Sequence, residues 1–219
     1  MLMDPSTPAA QGNPVQIDHI ILSIGDLERG IADFERMTGV RPVAGGVHPG
    51  RGTQNALASL GDGRYIEILA PDPKQPNPPD PMPGLAATRT LTPSGWALGT
   101  TDTFALQARL NGREIETTGN MPGSRALPDG SRLEWSTFGV ATPNHRWMPF
   151  FIKWADPAKQ PSRTAPGGCR LESIQIEDPN PDALTHVLAT AGVQVPIAKS
   201  ANSRMTVVLQ CPKGTVTFR

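Results

Sequence analysis

Val15-Gln-Ile-Asp-His-Ile-Ile-Leu-Ser-Ile24, followed by Gly25-Asp26-Leu27, is the stretch on which the reading of this chain turns. Its density of β-branched residues predicts a strand. Asp26 then stands where a carboxylate can accept from the first free amides of a helix, along which Leu27, Ile31, Phe34 and Met37 recur at steps of three and four. Gly39 can take the left-handed stop. Beyond it, Asn55 to Leu60 and Tyr65 to Leu69 read as strands joined by a Gly61-Asp62-Gly63 turn.

The pattern of strand, cap, amphipathic helix, glycine and strand hairpin returns twice. The second copy runs from Trp96 to Thr100, with Asp102 or Thr103 as cap, a helix to Leu110, Gly112, and strands at Arg132 to Phe138 and Met148 to Trp154. The third has Leu171 to Ile176, Asn180 as cap with Pro181 at the first helical position, and a stripe of Leu184, Val187, Leu188 and Ala191. It ends with Gly192 and strands at Met205 to Cys211 and Thr215 to Arg219. The caps stand 76 and 78 residues apart, too far for a short solenoid repeat. The expected fold class is α+β: two βαβββ modules, 16–72 and 93–157, paired within residues 16–160. A third βαβββ-like unit, 168–219, packs on them, and residues 1–15 form a frayed tail.

Composition removes several functions. Lys plus Arg is 20 and Asp plus Glu is 20, so no net field draws the protein to nucleic acid or to an acidic membrane. No stretch has the length of a membrane-spanning helix, and Met1 to Asn13 lacks the basic start and apolar run of a signal peptide. The chain reads as cytoplasmic. Pro 24 and Gly 22 concentrate in the connections, above all Pro71 to Pro83 and Ala155 to Gly168. Cys169 and Cys211 lack Cys-x-x-Cys spacing and read as a buried pair of small apolar residues rather than a disulfide or metal clamp.

Four segments carry a family likeness: Ile17 to Leu27, Gly45-Gly-Val-His-Pro-Gly-Arg-Gly-Thr-Gln-Asn-Ala-Leu57, Gly61 to Leu69, and Met148-Pro-Phe-Phe-Ile-Lys-Trp154. Together they resemble the glyoxalase-like branch of the vicinal oxygen chelate superfamily, over nearly the whole chain. The resemblance implies sheets curled around a cleft, with a divalent metal (Zn, Mn, Fe, Ni or Co) held by residues from the first and last strands of each module. Carried onto this sequence, it makes His19 and Glu67 the ligands of the first copy. His48 is a candidate third ligand and His145 a fourth. Glu67 and His48 become the candidate catalytic groups, and the expected chemistry is isomerase, lyase or hydrolase work on an oxygenated small molecule. A homodimer is left open.

The second copy departs from the pattern. Gly95 falls opposite His19, and Phe151 or Lys153 opposite Glu67; the third copy offers Ser173 and Phe218. That departure supports the competing reading, a metal-free protein that sequesters an aromatic or apolar compound, as bleomycin-resistance relatives do. A His beside an Asp on a strand also serves as a purely structural hydrogen-bonding group. Arg51, Thr53 and Asn55 are candidate substrate-binding residues in a glycine-rich loop, and Lys153 and Trp154 are candidates at the end of the second copy. His145 beside Arg146 reads as solvated surface, and His186 as an ordinary helix residue.

Overall fold

The computed structural model describes residues 15–79, 82–126, 130–141 and 145–219. The expected tail lies outside these residues but for Val15. The first unit comprises β1 (Gln16–Ser23), α1 (Leu27–Thr38), β2 (Val43–His48), β3 (Thr53–Gly61) and β4 (Arg64–Pro71). The second has β5 (Thr92–Gly99), α2 (Thr103–Asn111), β6 (Met121–Ala126), β7 (Arg132–Phe138) and β8 (Phe150–Trp154). A short helix, α3 (Pro161–Thr164), leads to the third unit: β9 (Arg170–Asp178), α4 (Asp182–Ala191), β10 (Ile197–Lys199), β11 (Arg204–Cys211) and β12 (Gly214–Phe218).

The first two units share one eight-stranded sheet, ordered β2-β3-β4-β1-β5-β8-β7-β6. It is strongly curved and nearly closed into a barrel: Arg125 of β6, at one edge, donates through Nη1 to the Gly45 carbonyl of β2, at the other. The halves are related by a pseudo-twofold through the antiparallel β1–β5 pair, because His19 pairs with Ala97 while Ile21 pairs with Gly95. This matches the 76-residue offset between the caps at Asp26 and Asp102. Each half closes with a parallel pair, β1 with β4 and β5 with β8.

Local chemistry accounts for the helix ends. Asp26 accepts from the Arg29 amide, and Gly39 takes φ 82°, a left-handed value that favours glycine. Asp102 accepts from the Phe104 and Ala105 amides, which decides between the two candidate caps of α2. No side chain caps α4, so the capping expected of Asn180 is absent. Gly30 lets α1 lie close on the sheet; a Cβ there would stand 2.7 Å from Ile24 Cγ2 and 3.0 Å from Ile68 Cγ2.

The third unit has the expected element order but a different sheet. Its strands run β10-β9-β11-β12, with β10 parallel to β9, whereas in the other units the strand after the helix lies at the far edge. The buried face of β11, with Met205, Val207 and Leu209, joins Phe34, Trp96 and Leu98 in one continuous core. Phe218 stacks on Phe34 at 6.0 Å. The cysteine reading needs correction: Cys169 and Cys211 form a disulfide. The antiparallel register of β9 on β11, with Arg170 opposite Gln210, brings the next residue outward on each side together. That pairing lies 42 residues apart in sequence and has no local signal.

Two connections do more than link. The segment from Gly45 to Thr53, expected as a loop, is half strand: β2 runs to His48 and a tight turn leads into β3. The proline-rich connection folds back onto that turn, where Gln75 Oε1 accepts from the Gly50 amide at 2.9 Å. No helix among the described residues is long and apolar enough to cross a membrane.

Candidate functional site

Strand alternation sorts the eight-stranded sheet into two faces. Ile20, Leu22, Ile66 and Ile68 point outward into the core under α1, and Phe151 stacks on Phe138 at 4.7 Å under α2. The inner face carries His19, Tyr65, Glu67, Asn55, Phe150 and Trp154. His19 is held between rings, stacked on Tyr65 at 4.6 Å and met edge-on by Phe150 at 5.4 Å.

The polar groups of this face form one connected set. Asp18, only 2 % exposed, reaches it because a register shift in the β1–β5 pairing falls between Ile17 and His19. Three groups converge on its carboxyl: His19 Nδ1 at 2.7 Å, Trp154 Nε1 at 2.9 Å and Gln160 Nε2 at 2.6 Å. With Nδ1 donating to the carboxylate, the His19 ring is turned so that Nε2 lies 3.5 Å from Glu67 Oε2. Asn55 Nδ2 donates to Glu67 Oε1 at 2.8 Å, which sets the orientation of the amide. The same amide nitrogen is 3.4 Å from His48 Nε2, so that nitrogen presents its lone pair, and the proton sits on Nδ1, 2.8 Å from Thr53 Oγ1. His48 Nε2 stands 3.8 Å from Glu67 Oε1.

Two imidazole nitrogens, one from His19 and one from His48, therefore approach the two oxygens of one carboxyl group. Burial pushes the His48 pKa down, against the pull of Glu67, which keeps the ring neutral. The Tyr65 hydroxyl is held well above its ordinary value, first by burial and then by Asp18 and Glu67. Burial also lowers the Arg125 pKa, while Tyr65 and Glu67 raise it.

The predicted residues divide. His19, Glu67, His48, Thr53, Asn55 and Trp154 come together. Arg51 is exposed on the turn after β2, its amide bonded to the His48 carbonyl. Lys153 lies on the opposite face of β8 from Phe150 and Trp154, beside Phe151, so the cleft-facing role expected of it is not met. His145 is not solvated surface. Its side chain is 8 % exposed, with Nε2 3.3 Å from the Asn180 carbonyl and 3.7 Å from Asp178, and it ties the second unit to the third. His186 Nε2 approaches the Arg113 carbonyl at 3.1 Å.

The expected counterpart of Glu67 also shifts by one residue. Glu67 pairs with Ile21, whose counterpart Ala97 pairs with Phe150, so Phe150 and Gly95 replace the ligands in the second half. Sequence reasoning missed Tyr65, Arg125 and Gln160, which reach the site from an adjacent register position, the far sheet edge and a connection. The alternation of Tyr65 with Glu67 was the one available signal.

The inner-face donors are of the types that bind a divalent ion. Ligands bonded at about 2.0–2.2 Å stand about 3–3.5 Å apart, and His19 Nε2 and Glu67 Oε2 meet that spacing. Asp18 and Thr53 hold the second nitrogen of each ring, as partners of metal-bound histidines do. The donor chemistry fits. Among the described residues, however, no three His, Cys, Asp or Glu side chains form a cluster that could hold a metal ion, and His48 Nε2 stands 3.8 Å from Glu67 Oε1.

A family model described as a glyoxalase-like domain matches residues 17–192. The chain belongs to this family. Among solved structures, this glyoxalase-like protein is similar to a hypothetical protein from Staphylococcus aureus, at 17% identity and a TM-score of 0.63, covering 94% of this chain and 85% of that one. That likeness shows a common fold. A methylmalonyl-CoA epimerase variant from Streptomyces coelicolor, in complex with 2-nitronate-propionyl-CoA, matches at 18% identity and a TM-score of 0.46, covering 66% of this chain and 100% of that one. Methylmalonyl-CoA epimerase from Mycobacterium tuberculosis matches at 17% and 0.44, covering 67% and 91%. Neither of the last two bears on function. No curated protein matches the chain.

Proposed function

We propose that this glyoxalase-like protein is a small-molecule enzyme whose His19, Glu67 and His48 hold a divalent cation next to an oxygenated substrate. The observation that carries the reading is the convergence of two imidazole nitrogens on the oxygens of one buried carboxyl group. Imidazole nitrogens grouped around a carboxyl are donor types that bind divalent ions. When bound, a divalent ion supplies Lewis acidity toward a carbonyl or hydroxyl oxygen, favouring isomerase, lyase or hydrolase chemistry.

The chain's own residues prepare that chemistry. Asp18 holds the His19 tautomer, and Asn55 holds Glu67. Burial favours the neutral form of His48, which leaves its Nε2 lone pair available to the cation. Tyr65 keeps its proton through neutral pH and serves as a neutral wall. Thr53 and Asn55 act through His48 and Glu67, and Trp154 through Asp18 as well as by its ring. The cytoplasmic expectation loses support from the Cys169–Cys211 bond, since disulfides persist mainly in oxidising compartments.

Elemental analysis of protein reconstituted with Zn, Mn, Fe, Co or Ni, before and after chelation, tests the reading. About one ion per chain is expected, with loss in His19→Ala and Glu67→Ala. Unchanged metal content in both variants would refute it. Gly95 and Phe150 in the second half favour a second reading, metal-free sequestration of an aromatic compound against Tyr65, Trp154 and Trp135. That reading expects ligand-induced thermal stabilisation that a chelator does not alter.

A further inference from the structure

The bond that draws the sheet toward closure also places a cation over the site. Arg125 shares a face of β6 with Gly123, and Gly123 pairs with Trp135 of β7. Trp135 in turn meets Trp154 at 5.7 Å on the inner face. The half-buried guanidinium therefore belongs to the same concave wall as Glu67 and Tyr65. β2 is bare where Arg125 crosses it: a Cβ on Gly46 would stand 3.1 Å from Arg125 Cδ. A Cβ on Gly45 would fall 2.2 Å from Asn55 Oδ1 and 2.7 Å from Leu57 Cδ1. The two glycines leave room for both side chains.

An independent observation sits beside this cation. Asn55 is 5 % exposed and its Nδ2 is committed to Glu67, yet its Oδ1 is a buried acceptor with no hydrogen-bond partner among the described residues. A buried acceptor without a partner calls for a donor, and a bound ligand can supply one. The guanidinium uses Nη1 on the Gly45 carbonyl, and its planar fork has the geometry that matches a carboxylate. One ligand class meets both needs.

We propose that Arg125 and Asn55 are the recognition pair of this site and select a 2-hydroxy carboxylic acid, its carboxylate on Arg125 and its hydroxyl donating to Asn55 Oδ1. The Trp135, Trp154 and Tyr65 rings receive the acid's side group. The proposal rests on the inner face being the substrate site, as in the reading above, but its test is read separately from metal content.

The experiment titrates the full chain calorimetrically with lactate and phenyllactate, each beside its deoxy acid (propanoate, 3-phenylpropanoate) and its amide. The acid is expected to bind about 10- to 100-fold tighter than the amide. The hydroxy acid should bind about 3- to 10-fold tighter than the deoxy acid. Arg125→Gln should abolish the first preference, Arg125→Lys should retain part of it, and Asn55→Leu should abolish the second. Wild-type protein lacking either preference, or binding neither lactate nor phenyllactate at millimolar concentration, overturns the proposal. So does Arg125→Gln keeping the acid preference. If Arg125→Gln does not fold, the wild-type and Arg125→Lys titrations decide. Preferences shown by wild-type protein, beside metal content left unchanged by His19→Ala and Glu67→Ala, would support this proposal while refuting the metal reading.

Discussion

Replacing Asp18 by Asn tests the physical core of the site, because the change is nearly isosteric and alters only charge and hydrogen-bond direction. Asp18 offers acceptors to three donors from three parts of the chain: His19 on β1, Trp154 on β8 and Gln160 before α3. An amide has one oxygen to offer. If its NH2 takes the Oδ2 position, it faces the Trp154 and Gln160 nitrogens, and Gln160 can turn its own amide while the indole cannot. If it takes the Oδ1 position, His19 must move its proton to Nε2 and point it at Glu67. At about 1.5–3 kcal/mol for each bond to a charged group, and with partial relaxation, the loss is on the order of 2–4 kcal/mol. A chain of this size shifts its Tm by about 2–4 °C per kcal/mol, so a fall on the order of 10 °C is expected. Urea denaturation gives the free energy and elemental analysis gives metal retention. A change below about 0.5 kcal/mol with metal binding intact would refute the assignment of Asp18 as the positioning residue of His19.

Burial lowers the His48 pKa below its ordinary 6.5, so the unfolded chain takes up a proton at a higher pH than the folded one. The contribution is fully present above about pH 6.5 and declines as the pH falls toward the folded-state value; urea midpoints should drop over this range less in His48→Gln than in wild type, and parallel curves would contradict it. Reducing the Cys169–Cys211 bond opens a cross-link spanning 42 residues and should cost about 2–4 kcal/mol, measured by urea titration with and without reductant. Gly30→Ala places a methyl against Ile24 and Ile68 and should destabilise by about 1–3 kcal/mol, read in the same titration; a stabilised variant would show that α1 has room to move.

What could be read along the chain was whatever acts within a few residues. The Asp26 cap, the stripe of Leu27, Ile31 and Phe34, and the Gly39 stop are local devices, and they define the repeating unit wherever it occurs. Strand alternation likewise put His19, Glu67 and Asn55 within reach of one another once their strands paired as the repeat suggested. Residues that depend on register or on distant edges were not legible. The one-residue error at Phe150 arose because a slip moves every side chain to the opposite face, and only the β5–β8 pairing fixes it.

The amino-acid sequence by itself determined the units and the inward chemistry of the first one, because helix periodicity, caps and turns are written in short-range patterns. The tertiary structure alone decided how the third unit orders its strands, that Cys169 meets Cys211, and that Arg125, Tyr65 and Gln160 join the site. Those outcomes follow from the curvature of the eight-stranded sheet and the register of its pairs, which depend on packing between segments far apart in the chain.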